Sequence, residues 1–416
     1  MLLNSKIALV ILLFSRALLD PVLNATKLSL MGEEIGVGGA VNLFVIILAI
    51  LLIARNPKRF SQIGLRKNWM VFLFVCFFAV TYSPVRGTAL RVFLNLVSYM
   101  SMVIAPFYLI NTKKDKKFWV GVLLLSSVLP VCFANIDLLK GGQYVPDVGM
   151  RISGTFSHPN ILSFYLVLVI VVVFYVLKSG LLNLSTFKKN LLRIYIINVL
   201  VLLVSAKTRN AWASCWVVFF TYGFLRERKY LLFSVVLPVA LSASSAVRDR
   251  ILDLFSHTSV GIGKDLNSFA WRLQLWKSSL PWIKNRFLLG NGLASFNPLS
   301  SSFFKIYFYN IENVPSHNSY LELLFETGIV GLLAYLSIFL RILKDCFLKM
   351  KDSVANVSKE YAIAISYVIS YMLVTFADNM LYYLALNWYV WFFFGIILRG
   401  LQLEEVNNDI DNNPII

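Results

Sequence analysis

Asn160–Leu177 reads NILSFYLVLVIVVVFYVL, with no charged residue until Lys178. A helix through this run extends about 27 Å at ~1.5 Å per residue, close to the ~30 Å hydrocarbon layer of a bilayer. Working outward, the same kind of run recurs at 4–18, 36–54, 69–84, 91–111, 118–135, 192–206, 211–225, 230–247, 318–341, 360–377 and 383–400. With 160–177 these make twelve candidate spans. The chain has 416 residues, 58% hydrophobic and 14% charged, where a soluble domain carries about 25% charged residues. A soluble enzyme, a disordered chain and a fibrous repeat are excluded. The expected fold is an all-α polytopic membrane protein, a single integral membrane domain over 1–416.

Basic tracts orient the spans. Arg55–Arg59, Lys113–Lys117, Lys188-Lys189, Arg226–Lys229 and Arg341–Lys351 follow alternate spans. By the positive-inside rule their side is the cytoplasm, with both termini. That rule also accounts for the net charge of +18 without nucleic acid. Cys76, Cys132, Cys215 and Cys346 form no CxxC pair and read as small hydrophobes. The N-terminus shows no convincing cleavage site, so its first span is expected to be retained.

The longest stretch outside the spans, 248–317, then faces the outer side. It holds Arg248, Arg250, Lys264, Arg272, Lys277, Lys284, Arg286 and Lys305 against Asp249, Asp253, Asp265 and Glu312. All three histidines, His158, His257 and His317, are on that side or at its membrane face, as are Arg86, Arg151, Lys207 and Arg209. Within the loop, Ser268–Trp282 places Phe269, Trp271, Leu273, Trp276 and Leu280 mostly at helical spacing, with Pro281 near its end. This predicts an amphipathic helix on the outer leaflet or capping the bundle. Gly290-Asn291-Gly292 predicts a turn.

Clustered external cations call for an anion, and the planar arginine fork matches phosphate oxygens. A lipid-linked diphosphate fits, with anionic phospholipid or plain solvation as the alternative. Arg209 stands in a very short link, Ser205–Asn210, where a charge near apolar helices points to a specific use or snorkels outward. In Arg151-Ile-Ser-Gly-Thr-Phe-Ser-His158-Pro159-Asn160, His158 and Asn160 suit either a sugar or a helix cap. His317 opens the tenth span, followed by Glu322 and Glu326 on one helix face. It is a candidate general base at neutral pH. The P-loop, HExxH and GxSxG patterns are absent, and no metal-ligand spacing occurs. The donor must therefore arrive already activated.

His317-Asn318, then nine residues, then Gly328-Ile329-Val330-Gly331 resembles the His-Asn…Gly-x-x-Gly pattern of the O-antigen ligase and Wzy-type polysaccharide polymerase superfamily of bacterial inner membranes. Thr208-Arg209, Gly290-Asn291-Gly292 and the Gly154–Asn160 stretch support the resemblance, which is specific over about 150–335. It implies a metal-independent, inverting, GT-C-like glycosyltransferase without cofactor, its active site facing the periplasm. The donor would be an undecaprenyl-diphosphate-linked glycan. The acceptor would be another lipid-linked repeat (polymerase) or lipid A–core oligosaccharide (O-antigen ligase), with membrane lipids and a chain-length regulator as further partners. The Gly-Thr-Phe-Ser-His-Pro-Asn element leans towards polymerase. His317, Arg209 and Arg272 would be catalytic, His317 activating or orienting the acceptor and the arginines holding the diphosphate. Arg286, Asn318, Lys207, Arg151, His158, Asn160 and Arg86 would bind substrate. A polyprenyl-lipid or polysaccharide transporter is the non-enzymatic alternative, but no broken helix or internal repeat is evident.

Overall fold

The computed structural model describes residues 2–25, 27–30, 33–145, 149–242, 248, 252, 270–304, 313–353 and 355–412. Asp249, Arg250, Asp253, His257, Lys264, Asp265, Phe269, Lys305 and Glu312 lie outside the described residues. The described chain is helical apart from two short hairpins. The order is α1 (Leu2–Leu18), α2 (Asp20–Ala25), β1 (Lys27–Leu30), β2 (Glu33–Gly36), α3 (Val37–Arg55), α4 (Pro57–Ser61), α5 (Arg66–Thr81), α6 (Arg86–Leu109), α7 (Lys113–Ser126) and α8 (Val128–Leu139). Then come β3 (Gln143–Val145), β4 (Gly149–Arg151), α9 (Pro159–Ser179), α10 (Thr186–Ser205), α11 (Arg209–Leu225), α12 (Lys229–Ser242), α13 (Ala270–Asn285), α14 (Phe296–Phe303), α15 (Ser319–Asp352), α16 (Ala355–Thr375), a 3₁₀ turn at Met380–Tyr382 and α17 (Leu384–Asn412).

Helices stand on all twelve apolar segments. Among the described residues, seven are long and apolar enough to cross a membrane: Val37–Arg55, Arg86–Leu109, Lys113–Leu139, Pro159–Ser179, Ser319–Asp352, Ala355–Thr375 and Leu384–Leu403. This is an all-α polytopic membrane fold. Two of these helices show how differently apolar surface is used. The span Leu384–Leu403 is 89% buried within the protein, whereas Val37–Arg55 is 28% buried. The first is a central post; the second turns Leu43, Phe44, Ile47, Ile50 and Leu51 outward, where only lipid suits them. Around the central post, Trp391 packs edge-on to Trp69 at 4.8 Å, and Trp388 Nε1 donates to Ser98 Oγ at 3.0 Å.

The expected amphipathic helix forms as α13. Leu275, Ser279 and Ile283 face inward at four-residue spacing, while Leu273 and Leu280 are exposed. The inward stripe joins Phe296, Phe304, Val314 and Phe325 in a second apolar cluster, so α13 caps α15.

The reading that no helix is broken needs correction. α15 breaks at Gly328, whose torsions (φ 67°, ψ −172°) are not helical. A break in a membrane helix frees backbone groups that must find partners inside the protein. The 287–292 segment supplies them: Asn291 N donates to Phe325 O, Gly292 N to Glu326 O, and Ile329 N to Phe287 O. A Cβ on Gly328 would lie 2.1 Å from Leu288 O, so only glycine fits there. The predicted Gly290–Gly292 turn is thus the other half of this contact. The sequence did not reveal the break because its partner lies far away in the chain.

Candidate active site

Several connections converge on the link between α16 and α17. Ala377 O accepts from Asn210 Nδ2 at the start of α11 (2.8 Å) and from Arg272 Nη1 of α13 (3.1 Å). Ser319 Oγ, first residue of α15, donates to Asp378 O at 3.2 Å. Asn160 Nδ2, in the first turn of α9, donates to Asp378 Oδ2 at 3.1 Å. The residues at 377–378 therefore tie four helices together near their N-terminal ends.

Asp378 was not among the residues singled out from sequence. It is fully buried, and Tyr383 Oη and its own neighbour's Asn379 N donate to Oδ1. Its charge is felt at Arg272, His158 and His317 alike. The available signal was an acidic residue between two apolar segments, on the expected outer side of a chain carrying +18.

His317 precedes α15 in a left-handed backbone conformation (φ 50°), uncommon for a residue with a side chain. Its ring stands edge-on to Trp271 at 5.6 Å. Among the described residues, Nδ1 is buried without a hydrogen-bond partner, and so is Nε of Arg272. Burial pushes the imidazole pKa down to about 4; Arg272 and His158 push the same way, and Asp378 opposes them. The ring is thus neutral at ordinary pH. His158 is also held below its usual value, first by burial and then by Arg151, against Asp378.

The structure divides the expected ligand-binding residues. His158 caps α9, its Nδ1 accepting from Asn160 N at 3.1 Å. Arg151 is a brace: Nε donates to Ala206 O (2.9 Å), and Nη2 to Asn160 Oδ1 (2.9 Å) and Thr208 Oγ1 (2.7 Å). It joins β4, α9 and the α10–α11 turn. Asn160 carries that brace on to Asp378. Arg209 begins α11, and its charge is felt at Arg272. Lys207 sits in the same turn with φ 51°, beside Gly149. Asn318 caps α15, accepting from Tyr320 N and Leu321 N. Arg286 is exposed at the end of α13 with Tyr82 as its electrostatic neighbour, and Arg86 is exposed at the start of α6. Neither is among the charges felt at His317. The pair Glu322 and Glu326 is buried behind the histidine, bound by Ser316 Oγ (2.5 Å) and by Phe296 N and Tyr382 Oη (3.1 Å each) respectively.

The arrangement sets the Arg272 guanidinium, which could meet an anion, beside an imidazole that can accept a proton. Among the described residues no group of three His, Cys, Asp or Glu is arranged to hold a metal ion. No curated protein matches the chain. Residues 194–336, from α10 into α15 and so including Arg209, Arg272 and His317, match the model of the family described as O-antigen ligase. This bears out the resemblance read from the motifs: over that segment the chain is similar to the O-antigen ligase and Wzy-type superfamily.

Proposed function

We propose that the chain is a polysaccharide polymerase, transferring glycan from an undecaprenyl-diphosphate-linked donor to the terminal sugar of a second lipid-linked repeat. The observation that carries the reading is the junction of Arg272, Arg209 and Asp378 beside His317, whose ring is half-buried with Nδ1 unpartnered among the described residues. The acceptor hydroxyl oxygen attacks the anomeric carbon from the face opposite the diphosphate, inverting it. The bond from that carbon to the diphosphate oxygen breaks, and its electron pair leaves with the lipid diphosphate. His317 takes the hydroxyl proton, while Arg272 and Arg209 meet the leaving group's charge. Asp378 balances the arginines and orients the α9 end through Asn160. Arg151 and Asn318 act as braces of this site, and His158 lines it. Arg286, Lys207 and Arg86 contact the wider glycan or lipid headgroups. Because the arginines carry the electrostatic role, turnover should persist in a chelator.

Twelve spans, with both termini cytoplasmic and 248–317 in the periplasm, complete the reading; the five alternating basic tracts support it. On this reading the protein belongs to the bacterial inner membrane, which the family match and the apolar helices support. The family's description favours one second reading, O-antigen ligase, with lipid A–core oligosaccharide as acceptor. The test is reconstitution with a lipid-linked repeat, with and without lipid A–core. A ladder of products without core supports the polymerase. A single transfer that requires core makes it a ligase. No transfer with either acceptor overturns both.

A further inference from the structure

His317 needs an external restraint, because left-handed torsions are unfavourable for a residue with a Cβ. Such a conformation persists where the surroundings over-determine it. Ser316 and Asn318 provide the nearest hold. Ser316 Oγ accepts from Asn318 N at 3.1 Å, bridging across the histidine. Its own proton faces Glu322 Oε2 at 2.5 Å, the shorter of its two acceptor contacts; the other is Asn318 O at 3.0 Å. Trp276 Nε1 fixes the other side of Ser316 by donating to its carbonyl at 2.7 Å. Asn318 is anchored in turn by capping α15. Ser316 and Glu322 are both buried, at 0% and 5% exposure, so water does not compete for these bonds.

Resting on the reading of His317 as acceptor base, we propose that Glu322 is a positioning residue for the reaction, acting through the Ser316 hydroxyl to hold His317 in its left-handed turn. Glu322 touches neither substrate nor the reacting atoms. Its position one turn into α15 ties the turn to a rigid helix. What matters is an acceptor oxygen at that point, which an amide supplies as well as a carboxyl group. Displacement of a catalytic group by about 1 Å can cost 10²-fold in rate. The residue therefore affects turnover while leaving the arginine-held donor in place.

The experiment compares S316A, E322A, E322Q and the double variant S316A/E322A in the full-length reconstituted protein. Donor binding and single-turnover rate are measured separately, with H317A alongside. S316A and E322A should each lower the rate about 10- to 10²-fold with donor affinity unchanged. E322Q should recover most of the rate. The double variant should be no slower than the slower single, because both changes break one chain of bonds. Should E322A fail to fold, S316A, which removes one oxygen, decides the matter alone. A normal rate in S316A, multiplicative losses in the double variant, or a parallel loss of donor binding overturns the proposal. If H317A is inactive while S316A and E322A are normal, only the positioning role falls. If H317A itself turns over normally, the base assignment falls first.

Discussion

Two clusters in the bundle use charge in opposite ways. At the end bearing the basic tracts, Lys116 and Glu360 are 5% and 4% exposed and meet at 2.7 Å, with Tyr175 Oη donating to the same carboxylate oxygen at 2.5 Å. Lys178 and Glu227 pair similarly, both carboxylate oxygens lying 2.7 Å from the ammonium. At the other end, Arg272 lies in the field of both Asp378 and Arg209, and polar atoms of Arg272 and His317 are buried without hydrogen-bond partners among the described residues. A charge that meets its partner inside the protein holds helices together. A charge left short of partners is available to a ligand. Buried charge alone is therefore no pointer to function; incomplete pairing is.

The contrast can be broken most severely at His317. His317→Ala should fold and bind donor yet lose about 10²- to 10⁴-fold in transfer rate, the usual cost of removing a general base. Single-turnover kinetics beside a donor-binding assay would show it, and near-normal turnover would make the residue a structural cap.

At the opposite end the large effect should be on stability. Glu360→Ala leaves the Lys116 ammonium buried without its carboxylate and should cost about 3–5 kcal/mol. Turnover per folded molecule should not change. Replacing both partners by apolar residues, Lys116→Met with Glu360→Leu, should restore most of the loss, since a well-packed apolar pair often equals a buried ion pair. Thermal unfolding in detergent, with activity scaled to the folded fraction, separates the two quantities. A direct loss of turnover would mean that the ends are coupled.

Arg272→Lys should have a smaller effect. The charge remains, but the fork and its stacking near Trp271 (5.9 Å) are lost. A loss of one or two charge-assisted hydrogen bonds corresponds to about 10- to 10²-fold in donor affinity or rate. An unchanged variant would show that the guanidinium does not grip the diphosphate.

What the sequence revealed divides along local and distant contacts. Apolar runs and basic tracts are local, so the helices at all twelve segments could be anticipated. His317-Asn318 and Thr208-Arg209 were legible because their motifs are short. Asp378 carried no motif: its role comes from α9, α13 and α15 meeting at one link. Arg151 has three protein oxygens as partners, which the sequence alone does not distinguish from phosphate. The inward stripe of α13 was not legible, because its tryptophans dominate an apolar count while Leu275, Ser279 and Ile283 face inward. The break at Gly328 required knowing that residues 287–292 would lie beside it.

The smallest expected effect is the response to mild acid, and its flatness is the informative part. His317 is held to a pKa of about 4, chiefly by burial and then by Arg272, from an ordinary value of 6.5. At pH 5 such a ring is still about nine-tenths neutral, so turnover should change little between pH 8 and 5 on its account. A ring with the ordinary value would lose about thirty-fold over the same range. The sign follows from proton binding. Below 6.5 the unfolded chain takes up this proton and the folded chain refuses it, so stability falls as pH drops from 6.5 towards 4. The same group therefore links acid to unfolding before it links acid to inactivity. Removing the cation, as in Arg272→Gln, should raise the imidazole pKa and move the acid limb of the rate profile upward; burial should keep the limb below 6.5. Asp378→Asn removes the opposing charge and should move it further down. The limb is read on the folded fraction, with stability followed in parallel. A limb near 6.5 in the unmodified protein, or one that stays put when Arg272 is replaced, would mean that His317 does not work in the buried, cation-flanked setting from which its role as a base is argued.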